Sequence, residues 1–107
     1  MSLAAQPTTT PSAARAWTFL TNHAHVLLAI AREPTARLRD VAASVGITER
    51  AAQAIVADLE AAGYLHRERV GRRNEYTINA AGRFRHPAEA DHLIGELIVL
   101  FTGTQEN

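Results

Sequence analysis

Apolar positions along this chain first recur with a helical period and then change to partial alternation. In residues 22–32 (NHAHVLLAIAR), Val26, Leu27 and Ile30 share one face, which predicts a first helix. Pro34 ends it, because proline disfavours α geometry in the residue before it. Leu38, Val41, Ala42 and Val45 then fall at i, i+3, i+4 and i+7, one buried stripe of a second helix. Gly46 stops that helix by accepting a left-handed backbone. Thr48 is an N-cap for a third helix reaching about Ala62, with Ala52, Ile55, Val56 and Leu59 on its buried side and Gly63 after its end. Only Gly46, Ile47 and the Thr48 cap separate the second and third helices, so the pair reads as a helix-turn-helix.

Beyond Gly63 the pattern shortens. Residues 64–70 and 74–78 read as two strands, with Leu65, Tyr76 and Ile78 pointing inward. Between them Gly71, Arg72 and Arg73 form a tight turn, which makes a hairpin with a basic tip. Residues 79–87 connect this hairpin to a last helix, predicted over 88–101. Its wide apolar stripe contains Leu93, Ile94, Leu97, Ile98 and Phe101. At the other end, residues 1–14 are Ala, Thr, Pro and Ser without periodicity and are expected to form a disordered arm. Trp17, Phe19 and Leu20, the first bulky residues, are expected to anchor the chain to the fold.

Composition sharpens this. The chain has 107 residues, a length suited to one core, and 21 of its apolar residues are Ala, which favours helix. No Cys is present, so there is no disulfide framework, no thiolate zinc site and no thiol nucleophile. No apolar run is long enough for a membrane span, and the N-terminus lacks the apolar core of a secretory signal. A cytoplasmic protein without membrane contact is expected. All eleven basic residues are Arg, balanced by eleven acids. That balance excludes a globally basic binder but hides an asymmetry: residues 64–86 carry +4 and residues 87–107 carry −4. A basic segment beside an acidic tail points to an anion-binding surface.

The stretches LRDVAASVGITERAAQAIVADLEAAGYL (38–65) and RVGRRNEYTIN (69–79) resemble small bacterial transcription regulators of the MarR and ArsR type. The resemblance is carried above all by Asp58 to Leu65, the passage from recognition helix into wing, and covers about residues 22–80. It implies a mainly α fold with a small β-hairpin wing, a winged helix-turn-helix placed over 15–87; the apolar residues of the extra C-terminal helical segment, 88–107, mark it as a dimerisation element. The adjacent Asp and Arg of the familiar MarR wing are replaced by Gly71-Arg72-Arg73-Asn74. That departure, with a chain shorter than a full MarR protein, argues against the family's ligand pocket.

A recognition helix enters the major groove by its N-terminal part. On a wheel of the third helix, the face opposite the buried stripe offers Arg50, Gln53 and Ala54 there, with Thr48 at the cap. Arg pairs bidentately with guanine and Gln with adenine, while Ala54 keeps the surface low. Arg72 and Arg73, with Asn74 beside them, are expected on the backbone or in the minor groove. Arg67 and Arg69 are weaker candidates, because Glu68 and Glu75 accompany them. The expected partner is double-stranded DNA, read by a homodimer joined through Leu93, Ile94, Leu97, Ile98 and Phe101, with Trp17 and Phe19 adding to the interface.

Other chemistry is thin. His86, Glu89 and His92 fall at i, i+3 and i+6, with Asp91 nearby, but i and i+6 lie on different helical faces, so no metal site is expected. No nucleophile–base pair and no glycine-rich phosphate loop occur, so neither an enzyme nor a cofactor is expected. The sequence therefore reads as a dimeric DNA-binding regulator, most simply a repressor. The alternatives are a winged helix used as a protein-interaction module and a regulator responding to a metal or small molecule.

Overall fold

The computed structural model describes residues 17–103, so the expected arm over 1–14 lies outside the described residues. The elements run α1 (Asn22–Arg32), α2 (Leu38–Val45), α3 (Glu49–Ala61), β1 (Leu65–Val70), β2 (Arg73–Ile78), a short 3₁₀ turn (Pro87–Glu89) and α4 (Ile94–Thr102). This is a winged helix-turn-helix: four helices and one antiparallel hairpin.

Local chemistry sets the helix ends. Thr21 Oγ1 accepts from the Ala24 N–H at 3.2 Å and starts α1. Gly46, at φ +88°, lets the chain reverse after α2, and the Ile47 N–H reaches back to the Ala42 carbonyl at 3.0 Å. Thr48 Oγ1 then accepts from the Ala51 N–H at 3.0 Å and starts α3. At its far end the Tyr64 N–H bonds the Leu59 carbonyl and the Gly63 N–H bonds the Glu60 carbonyl, the paired bonds of a Schellman ending.

The core is centred on α1, whose Val26, Leu27, Leu28, Ile30 and Ala31 are all buried. This helix packs against α2, α3 and α4. Val41 and Ala42 of α2, and Ala52, Ile55, Val56 and Leu59 of α3, close over it as their spacing predicts. The hairpin contributes Leu65 and Tyr76, both 5% exposed. Its register pairs Leu65 with Ile78, Arg67 with Tyr76 and Val70 with Arg73. The loop is therefore the two residues Gly71 and Arg72, with Gly71 at φ +63°. Glycine at the first loop position is what a type II′ turn requires.

Three expectations are corrected. The last helix begins at Ile94, not at residue 88. The backbone groups of 92–95 are taken by a preceding loop: Phe84 N–H to the His92 carbonyl, Ile94 N–H to the Gly82 carbonyl and Gly95 N–H to the Ala80 carbonyl. The Arg83 guanidinium also donates to the carbonyls of Ala90 and Asp91. A helix through 90–93 would forfeit these bonds. Second, Trp17 and Phe19 do not anchor the chain. They stack edge to face with centroids 5.0 Å apart but are exposed, and only Leu20 packs on the core.

The stripe of α4 is also redistributed. Ile94 and Ile98, expected against a second copy, face the chain's own core, with Ile98 only 2% exposed. They fall at i and i+4 on one face of α4, the face that packs on α1. Leu93 and Leu97 are half-buried, and the apolar surface left to solvent is Val99, Leu100 and Phe101. Ile98→Ala is therefore expected to lower unfolding free energy by about 2–5 kcal/mol. Leu100→Ala should change it by less than about 0.5 kcal/mol in the monomer. Urea unfolding of the two variants checks this, and equal losses would contradict the assignment.

At the start of α4 the Glu96 carboxylate accepts from the Leu93 N–H at 3.1 Å and pairs with His92 Nδ1 at 2.8 Å. The hydrogen bond to Glu96 raises the His92 pKa, and the bond from His92 lowers that of Glu96. A raised histidine pKa stabilises the fold fully below the ordinary histidine value, and that gain is lost as pH climbs through the raised one. A lowered glutamate pKa stabilises above the ordinary glutamate value, and its gain is lost as pH falls through the lowered one. The cap is thus tightest in the mildly acid window between the two ordinary values. In an NMR titration Glu96→Gln should bring the His92 midpoint down, whereas an unmoved midpoint would show the pair is not formed.

Candidate nucleic-acid interface

The buried stripe of α3 fixes what its other face presents. With Ala52, Ile55, Val56 and Leu59 turned inward, Arg50, Gln53, Ala54 and Ala57 are exposed. No hydrogen bond or ion pair holds Arg50 or Gln53 among the described residues, so their donors are open to a ligand. Thr48 is exposed too, but its hydroxyl oxygen is engaged as the helix cap. It sets the position of the first turn, where backbone N–H groups favour an anion.

Of the three carboxylates of α3, Glu49 stands exposed in the first turn beside Arg50, and the other two lie at the far end. Asp58 pairs with His23 Nε2 of α1 at 2.8 Å, and Glu60 pairs with Arg67 of β1 at 3.2 Å. These pairs join α3 to its neighbours at its C-terminal half. They also explain the weakness of Arg67 as a ligand-binding residue. Arg69 is likewise occupied, donating to the Gly71 carbonyl at 3.2 Å across the base of the wing turn.

At the wing tip Arg72 and Arg73 are exposed and Asn74 is half-buried. Neither arginine has an ion-pair or hydrogen-bond partner among the described residues. The hairpin is held against the helices at Tyr76, whose backbone N–H donates to the Pro34 carbonyl of the α1–α2 loop at 3.0 Å. That contact brings the wing beside the start of α2. A cleft of about 440 Å³ opens there, and Arg72, Arg73, Asn74, Tyr76 and Arg37 line it. The structure thus gathers the three wing residues into one place and leaves Thr48, Arg50, Gln53 and Ala54 as a separate patch on α3, since no α3 side chain lines the cleft.

The sequence that forms the helices, the first strand and the wing turn matches a known family. The profile described as MarR family matches residues 18–73, slightly more than half of the chain. The chain belongs to the MarR family. Its fold is accordingly that of a winged-helix transcriptional regulator, and the MarR side of the sequence resemblance is the one the comparison returns. No curated protein and no solved structure matches it. The MarR segment takes in α1, α2, α3, β1 and the wing turn as far as Arg73, and ends before α4. No helix among the described residues is long and apolar enough to cross a membrane.

Sequence reasoning missed Arg37. It precedes α2 in a stretch whose charges nearly cancel by count, and its neighbour Asp40 suggests a partner. In the structure Arg37 pairs with no carboxylate among the described residues and faces the wing cleft instead. Its position immediately before the first residue of a helix, three residues after Pro34, was the available signal. The histidines of the 86–92 region do not converge either: His86 lies 3.7 Å from Glu89, while His92 pairs with Glu96.

Proposed function

We propose that this MarR-family protein is a sequence-specific DNA-binding regulator acting as a homodimer, most simply a repressor that occludes a promoter. The observation that carries this reading is the place of three exposed arginines on a winged helix-turn-helix: Arg50 in the first turn of α3 and Arg72 and Arg73 at the wing tip, none with an ion-pair partner among the described residues. Uncompensated guanidinium groups on a winged helix-turn-helix suit a polyanion.

In this reading α3 lies in the major groove by its first turns. Arg50 reads guanine, Gln53 reads adenine, and Ala54 permits close approach. Arg72, Arg73 and Asn74 contact the backbone or the minor groove. Binding comes from phosphate neutralisation with counterion release, and specificity from the two α3 side chains. No chemistry is performed on the DNA. Two copies join through the exposed end of α4, where Leu100 is 73% and Phe101 46% exposed, with Leu93 and Leu97 at the margin. Ile94 and Ile98 support that helix from below. A two-fold dimer sets two copies of α3 against half-sites about one helical turn apart.

The test is a salt titration of duplex binding. Replacing Arg72 and Arg73 together by Ala should weaken binding to every sequence and flatten the slope of log K against log salt by up to about 2. Gln53→Ala should instead leave the slope unchanged and relax preference at one base position, at a cost of about 1–3 kcal/mol in discrimination. An unchanged slope in the first variant would remove the wing from the phosphates. Unchanged preference in the second would remove Gln53 from the bases.

A further inference from the structure

The cleft between the start of α2 and the wing is lined by one basic residue that the reading above does not use, Arg37. Three arginines from two parts of the chain line it: Arg37 at the N-cap of α2, and Arg72 and Arg73 at the wing tip. No carboxylate lines it, and none of the three arginines has an ion-pair partner among the described residues. Asn74 adds amide donors, and Tyr76 stands buried at its floor. The Arg37 side chain makes no capping bond to α2. The Tyr76 N–H points out of the hairpin to Pro34. By the alternation of an antiparallel ladder the Asn74 N–H, two residues earlier, points out of the same edge toward the cleft.

Such a lining suits an anion. Three arginines border one cleft, and no carboxylate in its wall neutralises them. A planar guanidinium presents paired donors at the spacing of two phosphate oxygens, which fits a tetrahedral oxyanion. We propose that Arg37 completes, with Arg72 and Arg73, a phosphate-binding site between α2 and the wing, which grips one phosphate group when the wing lies on a duplex. This rests on the DNA-binding reading and deepens it. Arg37 belongs to the helical part of the fold, so a phosphate held here ties the wing to the helix-turn-helix through the ligand. The phosphate has two chemical sources: a backbone phosphodiester of the duplex, or a free phosphate-bearing molecule competing for the same donors.

The experiment compares the wild type with Arg37→Gln and Arg85→Gln. Arg85 is a control, an exposed arginine also without an ion-pair partner among the described residues, which lies by Asp58 and Tyr64, away from the cleft. Binding of a labelled random-sequence duplex is followed across salt concentrations, and melting temperatures are recorded with and without inorganic pyrophosphate at matched ionic strength. Arg37→Gln should reduce the salt slope by about 1, Arg85→Gln should leave it unchanged, and all three proteins should melt alike without ligand. An unchanged slope in Arg37→Gln, or equal falls in both variants, overturns the site. A pyrophosphate-dependent rise in melting temperature that is lost in Arg37→Gln supports it and marks a free phosphate-bearing occupant. A reduced slope with no such rise supports it with the duplex backbone as occupant. If the wild type binds no duplex, the DNA-binding reading fails by itself. The site then stands on the pyrophosphate arm, where the absence of a rise overturns it.

Discussion

A two-stranded ribbon is barely stable alone in water, and this wing is held to the helices on both strands, through Leu65 of β1 and Tyr76 of β2. The Tyr76 side chain enters the core beside Leu65, while its backbone N–H donates to the Pro34 carbonyl. One residue therefore fixes the wing in two directions, by apolar burial and by a hydrogen bond to the α1–α2 loop. The rest of the basic surface follows from that docking. With β2 held against the loop, the turn residues Arg72 and Arg73 come beside Arg37, and the hairpin edge faces a cleft instead of open solvent. A hairpin free to swing would scatter the same charges.

Electrostatics then divides the surface. The carboxylates at the C-terminal half of α3 are satisfied by groups on neighbouring elements, Asp58 by His23 and Glu60 by Arg67. These exposed pairs contribute little to stability. Their larger effect is on the distribution of charge, since they hold acid and base together where α3 meets α1 and β1. Arg37 before α2, Arg50 in the first turn of α3 and Arg72 and Arg73 at the wing tip have no ion-pair partner among the described residues. In a protein of zero formal net charge that placement, together with membership of the MarR family, is what supports a polyanionic partner in the proposed reading.

Much of this was legible in the sequence, where local rules decide the outcome. The stripes of α1, α2 and α3, the left-handed glycine at 46, the Thr48 cap and the inward positions Leu65, Tyr76 and Ile78 all follow from periodicity and turn chemistry. What the sequence hid depends on contacts between distant residues. The start of α4 is set by backbone bonds to residues 80–84, which no window around residue 90 contains. Ile98 and Leu100 look equivalent in an apolar run, but they lie on opposite faces of α4, and only the contact with α1 decides which face is buried. Among the arginines, Arg67 and Arg72 differ by which carboxylate the fold brings near. Arg37 enters the site only because the wing is docked by Tyr76, a fact written some forty residues further along the chain.

The central claim, that α3 and the wing together read a duplex as a two-fold pair, is tested most directly by selecting binding sites for the purified protein from a random duplex pool. The account predicts enrichment of a palindrome whose half-sites lie about 10 base pairs apart, with guanine and adenine at the positions that Arg50 and Gln53 reach. Survivors at low salt with no shared sequence would contradict it, and would leave the basic face as a surface for some other anion.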